Sequence, residues 1–122
     1  MTKTVLVVDD SASVRMQVSR ALASAGFEVL EAVDGIDALE KLTGGATVAL
    51  VVCDINMPRM NGVELIESLA QRPAPRPPIL MLTTEGHPAL IQRAKASGAR
   101  GWMMKPLKPE LLVAAARKLT AA

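Results

Sequence analysis

The chain is poor in aromatic side chains, with one tryptophan, one phenylalanine and no tyrosine among its 122 residues. Proteins that bind nucleic acid by stacking its bases use several aromatic rings interleaved with basic residues. Here Trp102 and Phe27 are the whole aromatic complement, and the basic residues are not interleaved with them. We therefore expect no nucleic-acid partner.

Cysteine is scarce and long apolar runs are missing. Cys53 is the only cysteine, which excludes an internal disulfide framework and is typical of a reducing compartment. The N-terminal segment reaches two aspartates after one short apolar run, so it predicts neither a secretory signal nor a membrane-spanning helix. These features predict a cytoplasmic protein with no membrane partner.

The charged residues are unevenly distributed along a chain that has room for one domain of ordinary size. Residues 1–67 carry 5 basic and 10 acidic side chains, whereas residues 68–122 carry 9 basic and 2 acidic ones. The late bases either form a surface for an acidic partner or reflect chance in a short chain. The sequence leaves both interpretations open.

Five short aliphatic runs alternate with five segments of helical periodicity. Three of the runs are nearly continuous in Val, Leu, Ile or Met, as in strands covered on both faces, and another alternates like an edge strand. The runs span residues 4–8, 27–32, 48–52, 79–83 and 101–104. This alternation predicts an α/β domain in which helices cover both faces of a single, doubly wound, five-stranded parallel sheet.

Polar side chains follow four of the five runs. Asp9 and Asp10 follow the first, Asp54 the third, Thr83 the fourth and Lys105 the fifth. Because the carboxyl ends of parallel strands meet at one edge of a sheet, we expect these groups to share one rim. The pattern predicts three carboxylates, one hydroxyl and one ammonium in a common site.

This set of groups is suited to phosphoryl transfer. Adjacent carboxylates repel one another and require a cation, and oxygen ligands of this kind suit Mg²⁺. A carboxylate can also act as a nucleophile and carry a phosphoryl group. Lys105 and the Thr83 hydroxyl would then neutralise and hydrogen-bond the phosphoryl oxygens. The pattern predicts phosphoryl transfer to Asp54.

Each of these residues also has a simpler interpretation. The paired aspartates can cap the following helix, with Ser11 or Ser13 also available, and a single aspartate at a strand end can be a turn residue. Thr83 can be only a good strand former, and Lys105 a solvated loop charge. The joint placement at the ends of four strands favours the functional interpretation.

The sequence resembles the receiver domain of two-component response regulators from residue 4 to about residue 120. The resemblance rests on four motifs in order: VLVVDD at 5–10, VVCDINMPRMNG at 51–62, LMLTTE at 80–85 and WMMKP at 102–106. It implies a flavodoxin/CheY-like fold with strand order 2-1-3-4-5. It also implies a regulatory domain, which is no enzyme beyond promoting its own phosphorylation and dephosphorylation.

The resemblance implies a role for each site residue. A histidine kinase would phosphorylate Asp54, and Lys105 would contact the phosphoryl group. Thr83 and Trp102 would form the switch pair. The remaining implied roles are Mg²⁺ binding by Asp9, Asp10, Asp54 and the backbone carbonyl of Asn56, and tuning of rapid self-dephosphorylation by Asn56 and Glu85.

The resemblance is closest to single-domain chemotaxis regulators of the CheY kind. We expect residues 1–122 to be one receiver domain without an output domain, active as a monomer, with a flagellar switch protein as target. A phosphorelay shuttle or phosphate sink is the alternative. The output face expected on helix 4, strand 5 and helix 5 would either dock an acidic or amphipathic segment or be merely solvated. Its members are Arg93, Lys95, Arg100, Trp102, Lys108, Arg117 and Lys118.

The sequence departs from the receiver-domain pattern at two positions. Trp102 is bulkier than the Tyr or Phe that the family usually has, and it needs more room. Asn61 stands where the family often has Asp, at a position that we expect to lie outside the metal site.

Two other classes of protein share parts of this pattern. An Asp-dependent Mg²⁺ phosphatase of the haloacid-dehalogenase type would require Asp at position 56. A flavin-binding domain would require a Ser/Thr/Gly-rich phosphate loop in place of Asp9 and Asp10.

Overall fold

The computed structural model describes residues 3–45, 47–55, 60–71, 77–83, 88–105 and 107–121. In this part of the chain, five strands alternate with five helices. The strands are β1 (Thr4–Val8), β2 (Glu28–Ala32), β3 (Leu50–Asp54), β4 (Ile79–Thr83) and β5 (Gly101–Met104). The helices are α1 (Ala12–Ser24), α2 (Gly35–Thr43), α3 (Gly62–Ala70), α4 (Pro88–Ala96) and α5 (Pro109–Thr120).

The strands form one sheet in the order β2-β1-β3-β4-β5, and every neighbouring pair is parallel. This arrangement confirms the predicted fold class and strand order. The three central strands are almost entirely buried. The edge strand β5 exposes alternate residues, and the edge strand β2 exposes Glu28, Leu30 and Glu31. None of the helices in the described ranges has the length and hydropathy to cross a membrane.

Strand β3 differs from the predicted run at 48–52, because it begins at Leu50 and ends at Asp54. Its pairing with both neighbours sets these bounds, since Leu50 is opposite Val5 and Asp54 is opposite Leu82. Thr83 is likewise the last residue of β4. The predicted run at 79–83 thus coincides with β4, whereas Asp54 ends β3 instead of following it, because sheet pairing continues past the apolar residues.

Two hydrophobic layers cover the two faces of the sheet. Alternate residues of a strand point to opposite faces, so Leu6 and Val8 pack on the side of α2, α3 and α4, and Val5 and Val7 pack on the side of α1 and α5. The sheet is thus wound on both faces, which leaves its carboxyl-terminal edge as the place where polar groups collect.

The N-terminus of α3 packs against the end of β3. The Asn61 side chain accepts a hydrogen bond from the Glu64 amide at 2.9 Å, and the Glu64 carboxylate accepts one from the Asn61 amide at 3.0 Å. This capping box satisfies two amides at the helix end. At the next residue, Gly62, a Cβ atom would lie 2.6 Å from the Asp54 carbonyl oxygen. The helix start therefore fits closely beneath the strand that carries Asp54.

Replacing Asn61 with alanine should lower the free energy of unfolding by about 1 kcal/mol, because the cap is lost. Asn61→Asp keeps an accepting oxygen and should stay close to the wild type. Urea denaturation of the three proteins at pH 7 measures the difference. Equal stabilities for Asn61→Ala and the wild type would contradict this assignment of the cap.

Candidate functional site

The carboxyl-terminal edge of the sheet brings the predicted acidic residues together. Asp9 lies just beyond β1, and Asp54 is the last residue of β3. One carboxylate oxygen from each of Asp9, Asp10 and Asp54 lies within 4.8 Å of the others. Asp9 and Asp54 are buried, whereas Asp10 is exposed at the mouth of the cluster. The adjacent strands β1 and β3 therefore place these groups as the sequence predicts.

Lys105 lies between two of these carboxylates. Its Nζ is 3.1 Å from Asp9 Oδ2 and 3.3 Å from Asp54 Oδ2. Burial lowers the pKa of Lys105, but the hydrogen bond to Asp9 and the negative charge of Asp54 outweigh it, so the pKa lies above its ordinary value. The Lys105 amide also donates to the Thr83 carbonyl at 2.8 Å, which joins the ends of β4 and β5.

The charge of the cluster fits a divalent cation. Three carboxylates and one ammonium leave two negative charges in excess, the charge that one Mg²⁺ ion balances. All the candidate ligand atoms are oxygens, which hard cations prefer. The residues present are therefore suited to a magnesium site at Asp9, Asp10 and Asp54.

The capping interpretation of the paired aspartates is wrong, because Ser11 caps α1. Its hydroxyl accepts a hydrogen bond from the Val14 amide at 3.3 Å. Asp9 Oδ1 instead accepts from the Ser11 amide at 2.9 Å, which fixes one oxygen of a side chain whose other oxygen contacts Lys105. No hydrogen bond or ion pair joins the Asp10 side chain to another described residue. Its carboxylate is thus available to a ligand.

Cys53 lies beside the site, but its role is to pack in the hydrophobic core. Its side chain is fully buried, and its thiol donates to the Asp54 carbonyl oxygen at 3.4 Å. Burial, followed by the negative charges of Asp54 and Asp9, raises the pKa of the thiol far above its ordinary value. The thiol therefore stays protonated at neutral pH and fills space in the core.

The predicted switch pair occupies different environments. Thr83 is buried at the end of β4, whereas Trp102 on the edge strand β5 is 39% exposed. Lys95 of α4 places its Nζ 4.4 Å from the centroid of the Trp102 ring, within the range of a cation–π contact. The extra room that the tryptophan requires is thus found outside the core, against α4.

The residues of the expected output face do not all lie together. Lys95 contacts Trp102, but Arg93 forms an ion pair with Glu67 of α3 at 2.8 Å. Arg117 lines a groove between α1 and α5. Arg93 and Arg117 therefore have neighbours other than Trp102, because residues near each other in sequence can lie on different sides of a helix. The exposed residues that remain are Lys95, Arg100, Lys108 and Lys118.

Two predicted residues cannot be placed, and one contact was not predicted. Asn56 and Glu85 lie outside the described residues. Arg15 of α1 donates from Nη1 to the Asp9 carbonyl oxygen at 2.6 Å. The available signal was an arginine one helical turn after the capping Ser11, in a position from which a long side chain reaches back toward the helix start.

Comparisons with known proteins agree with this geometry. The family model described as "Response regulator receiver domain" matches residues 5–117. "Chemotaxis protein CheY1" of Helicobacter pylori is 39% identical over 109 residues, which cover 88% of each chain. "Regulator of RpoS" of Escherichia coli is 38% identical over 106 residues, covering 87% of this chain and 31% of that protein. The structure of the chemotaxis response regulator CheY4 of Vibrio cholerae matches with a TM-score of 0.88 and 42% identity, covering 98% of this chain and 99% of the other.

Asp10→Asn should raise Tm by roughly 3 °C when divalent cations are chelated, because it relieves repulsion within the carboxylate cluster. Glu40→Gln removes an exposed carboxylate from α2, outside the cluster, and serves as the control that stays near the wild type. Thermal unfolding followed by circular dichroism in EDTA measures the shift. A lower Tm for Asp10→Asn would show that repulsion does not dominate at this position.

Proposed function

The chain belongs to the response regulator receiver domain family, and we propose that it is a phosphorylation-dependent signalling switch of a two-component system. A histidine kinase supplies the phosphoryl group, and Asp54 accepts it. The observation that carries this proposal is the position of Lys105, within 3.3 Å of the Asp54 carboxylate, in a cluster of three acids. An ammonium there can neutralise a phosphoryl oxygen as readily as it pairs with a carboxylate.

Asp54 is the acid best placed to act as nucleophile. It ends the central strand β3, and the start of α3 packs against its backbone. The backbone that carries the Asp54 carboxylate is therefore held firmly in place. One Asp54 oxygen forms a bond to phosphorus while the bond from phosphorus to the kinase histidine nitrogen breaks. The electron pair of that bond stays on the nitrogen. Lys105 balances the negative charge that arrives with the phosphoryl oxygens.

Asp9, Asp10 and Asp54 would hold Mg²⁺, together with the backbone carbonyl of Asn56. When bound, the cation neutralises charge on the phosphoryl oxygens. Asp9 is held in place by the Ser11 amide and by Lys105, so it is oriented before any ligand arrives. The chain therefore offers the cation a partly buried set of carboxylate oxygens, with the Lys105 ammonium among them.

Phosphorylation would be transmitted from Thr83 to Trp102. A phosphoryl group adds nearly two negative charges and three acceptor oxygens, to which the Thr83 hydroxyl would donate. Movement of Thr83 toward the phosphoryl group would leave room for Trp102 to rotate inward. That rotation breaks the contact with Lys95, a cost of about 0.5–1 kcal/mol for an exposed cation–π pair. The Lys95 contact thus favours the outward, resting state.

Adding Mg²⁺ with acetyl phosphate or beryllofluoride should shift Trp102 emission to shorter wavelength, because the exposed indole moves into the protein. Since Trp102 is the only tryptophan, the signal has one source. Asp54→Asn should abolish the response, whereas Asp37→Asn on α2 should retain it. An equal response from Asp54→Asn would contradict phosphorylation of Asp54 as the trigger.

We propose an output surface, called the basic strip below, that consists of Trp102 with the exposed bases Lys95, Arg100 and Lys108. These side chains are exposed on α4, on β5 or beside it, and at the start of α5. Such a strip favours an acidic, amphipathic segment of a partner. The relatives named as chemotaxis proteins support a flagellar switch protein as that partner, with the chain acting in the cytoplasm. A phosphorelay shuttle or phosphate sink would not need this strip.

Arg100→Glu should weaken binding of the phosphorylated chain to the N-terminal peptide of a flagellar switch protein by about tenfold, because it reverses a charge on the docking strip. Arg117→Glu makes the same change in the groove between α1 and α5 and should bind normally. Fluorescence anisotropy of a labelled peptide, after equal phosphorylation has been verified, measures the difference. Unchanged binding by Arg100→Glu would contradict docking on the strip.

A further inference from the structure

Arg15 contacts the backbone between two of the proposed metal ligands. Its Nη1 donates to the Asp9 carbonyl oxygen at 2.6 Å, and its Nε pairs with Glu31 Oε1 at 3.1 Å. The Asp9 carbonyl belongs to the peptide group that joins Asp9 to Asp10. Arg15 therefore holds the segment of backbone from which both carboxylates project.

The backbone of Asp9 is held at both of its peptide groups. The preceding one is held by the sheet, since the Asp9 amide donates to the Ala32 carbonyl at 3.1 Å. The following one, which joins Asp9 to Asp10, is held by Arg15, whose side chain is only 16% exposed and pairs with Glu31. No described residue bonds the Asp10 side chain, so its restraint comes from the backbone alone. Holding this peptide group thus fixes the point from which the Asp10 side chain projects toward the cluster.

We propose that Arg15 is a positioning residue for Mg²⁺ binding, which it promotes by orienting Asp10 through the Asp9 carbonyl. This inference rests on the proposed metal site. The planar guanidinium donates to the carbonyl and to Glu31 at the same time, whereas the ammonium of a lysine lacks that fork. Lysine at this position therefore keeps the charge but loses the geometry.

Charge and position make opposite predictions for Arg15. A cation beside the site repels Mg²⁺, so its removal would tighten metal binding if charge alone mattered. If Arg15 orients Asp10, its removal weakens binding despite the lost repulsion. The double variant Arg15→Gln/Glu31→Gln restores the net charge, so charge alone predicts wild-type affinity for it. The sign of the change therefore separates the two effects.

The test is Mg²⁺ titration of the full chain by isothermal titration calorimetry, with circular dichroism to verify folding. Arg15→Gln and the double variant should bind Mg²⁺ roughly tenfold more weakly, as when an outer-shell partner of a metal ligand is lost. Arg15→Lys should also bind more weakly. Arg20→Gln removes an exposed arginine from the same helix and should bind like the wild type.

Each outcome bears on the inference. Wild-type or tighter binding by folded Arg15→Gln would overturn it, as would a loss of stability without loss of affinity, which would reduce Arg15 to a tie between α1 and β2. If Arg15→Gln does not fold, the Mg²⁺ affinity of Arg15→Lys is used instead, and wild-type or tighter binding by that variant would overturn the inference. Failure of the wild-type chain to bind Mg²⁺ would instead overturn the proposed metal site, and this inference with it.

Discussion

The Lys105 ammonium is the interaction on which the rest of the site depends, because it lies between two carboxylates that repel each other. The contact spans 96 residues of sequence, and it joins the end of the edge strand β5 to the centre of the sheet. The ammonium offsets the repulsion between the Asp9 and Asp54 carboxylates. With Asp10 included, two negative charges remain in excess, which suits a divalent cation.

The centre and the edge of the sheet differ in how much freedom they leave a side chain. Asp54 ends the buried central strand β3, where pairing with β4 and the close approach of α3 leave its backbone little freedom. Trp102 lies on an edge strand, half covered and in contact with Lys95 rather than with the core. The Trp102 side chain can therefore move more easily than Asp54 without disturbing the layers that stabilise the fold.

Much of the fold could be predicted from the sequence because strand and helix periodicities are local. The aliphatic runs and apolar stripes indicated five strands and five helices, and the family motifs indicated the strand order. The ends of β3 could not be predicted to the residue. Asp54 extends β3 because the neighbouring strand β4 pairs with it there, and an apolar pattern cannot reveal that pairing.

The order of residues along the chain is enough to show which groups meet, since residues at the carboxyl ends of parallel strands lie at the same edge of the sheet. Asp9, Asp54 and Lys105 could therefore be assigned to one site without a structure. The partner of each side chain, by contrast, depends on how the elements pack in three dimensions. Arg15 braces the Asp9 carbonyl and Arg93 pairs with α3, because the direction of a long side chain depends on packing between elements that are distant in sequence.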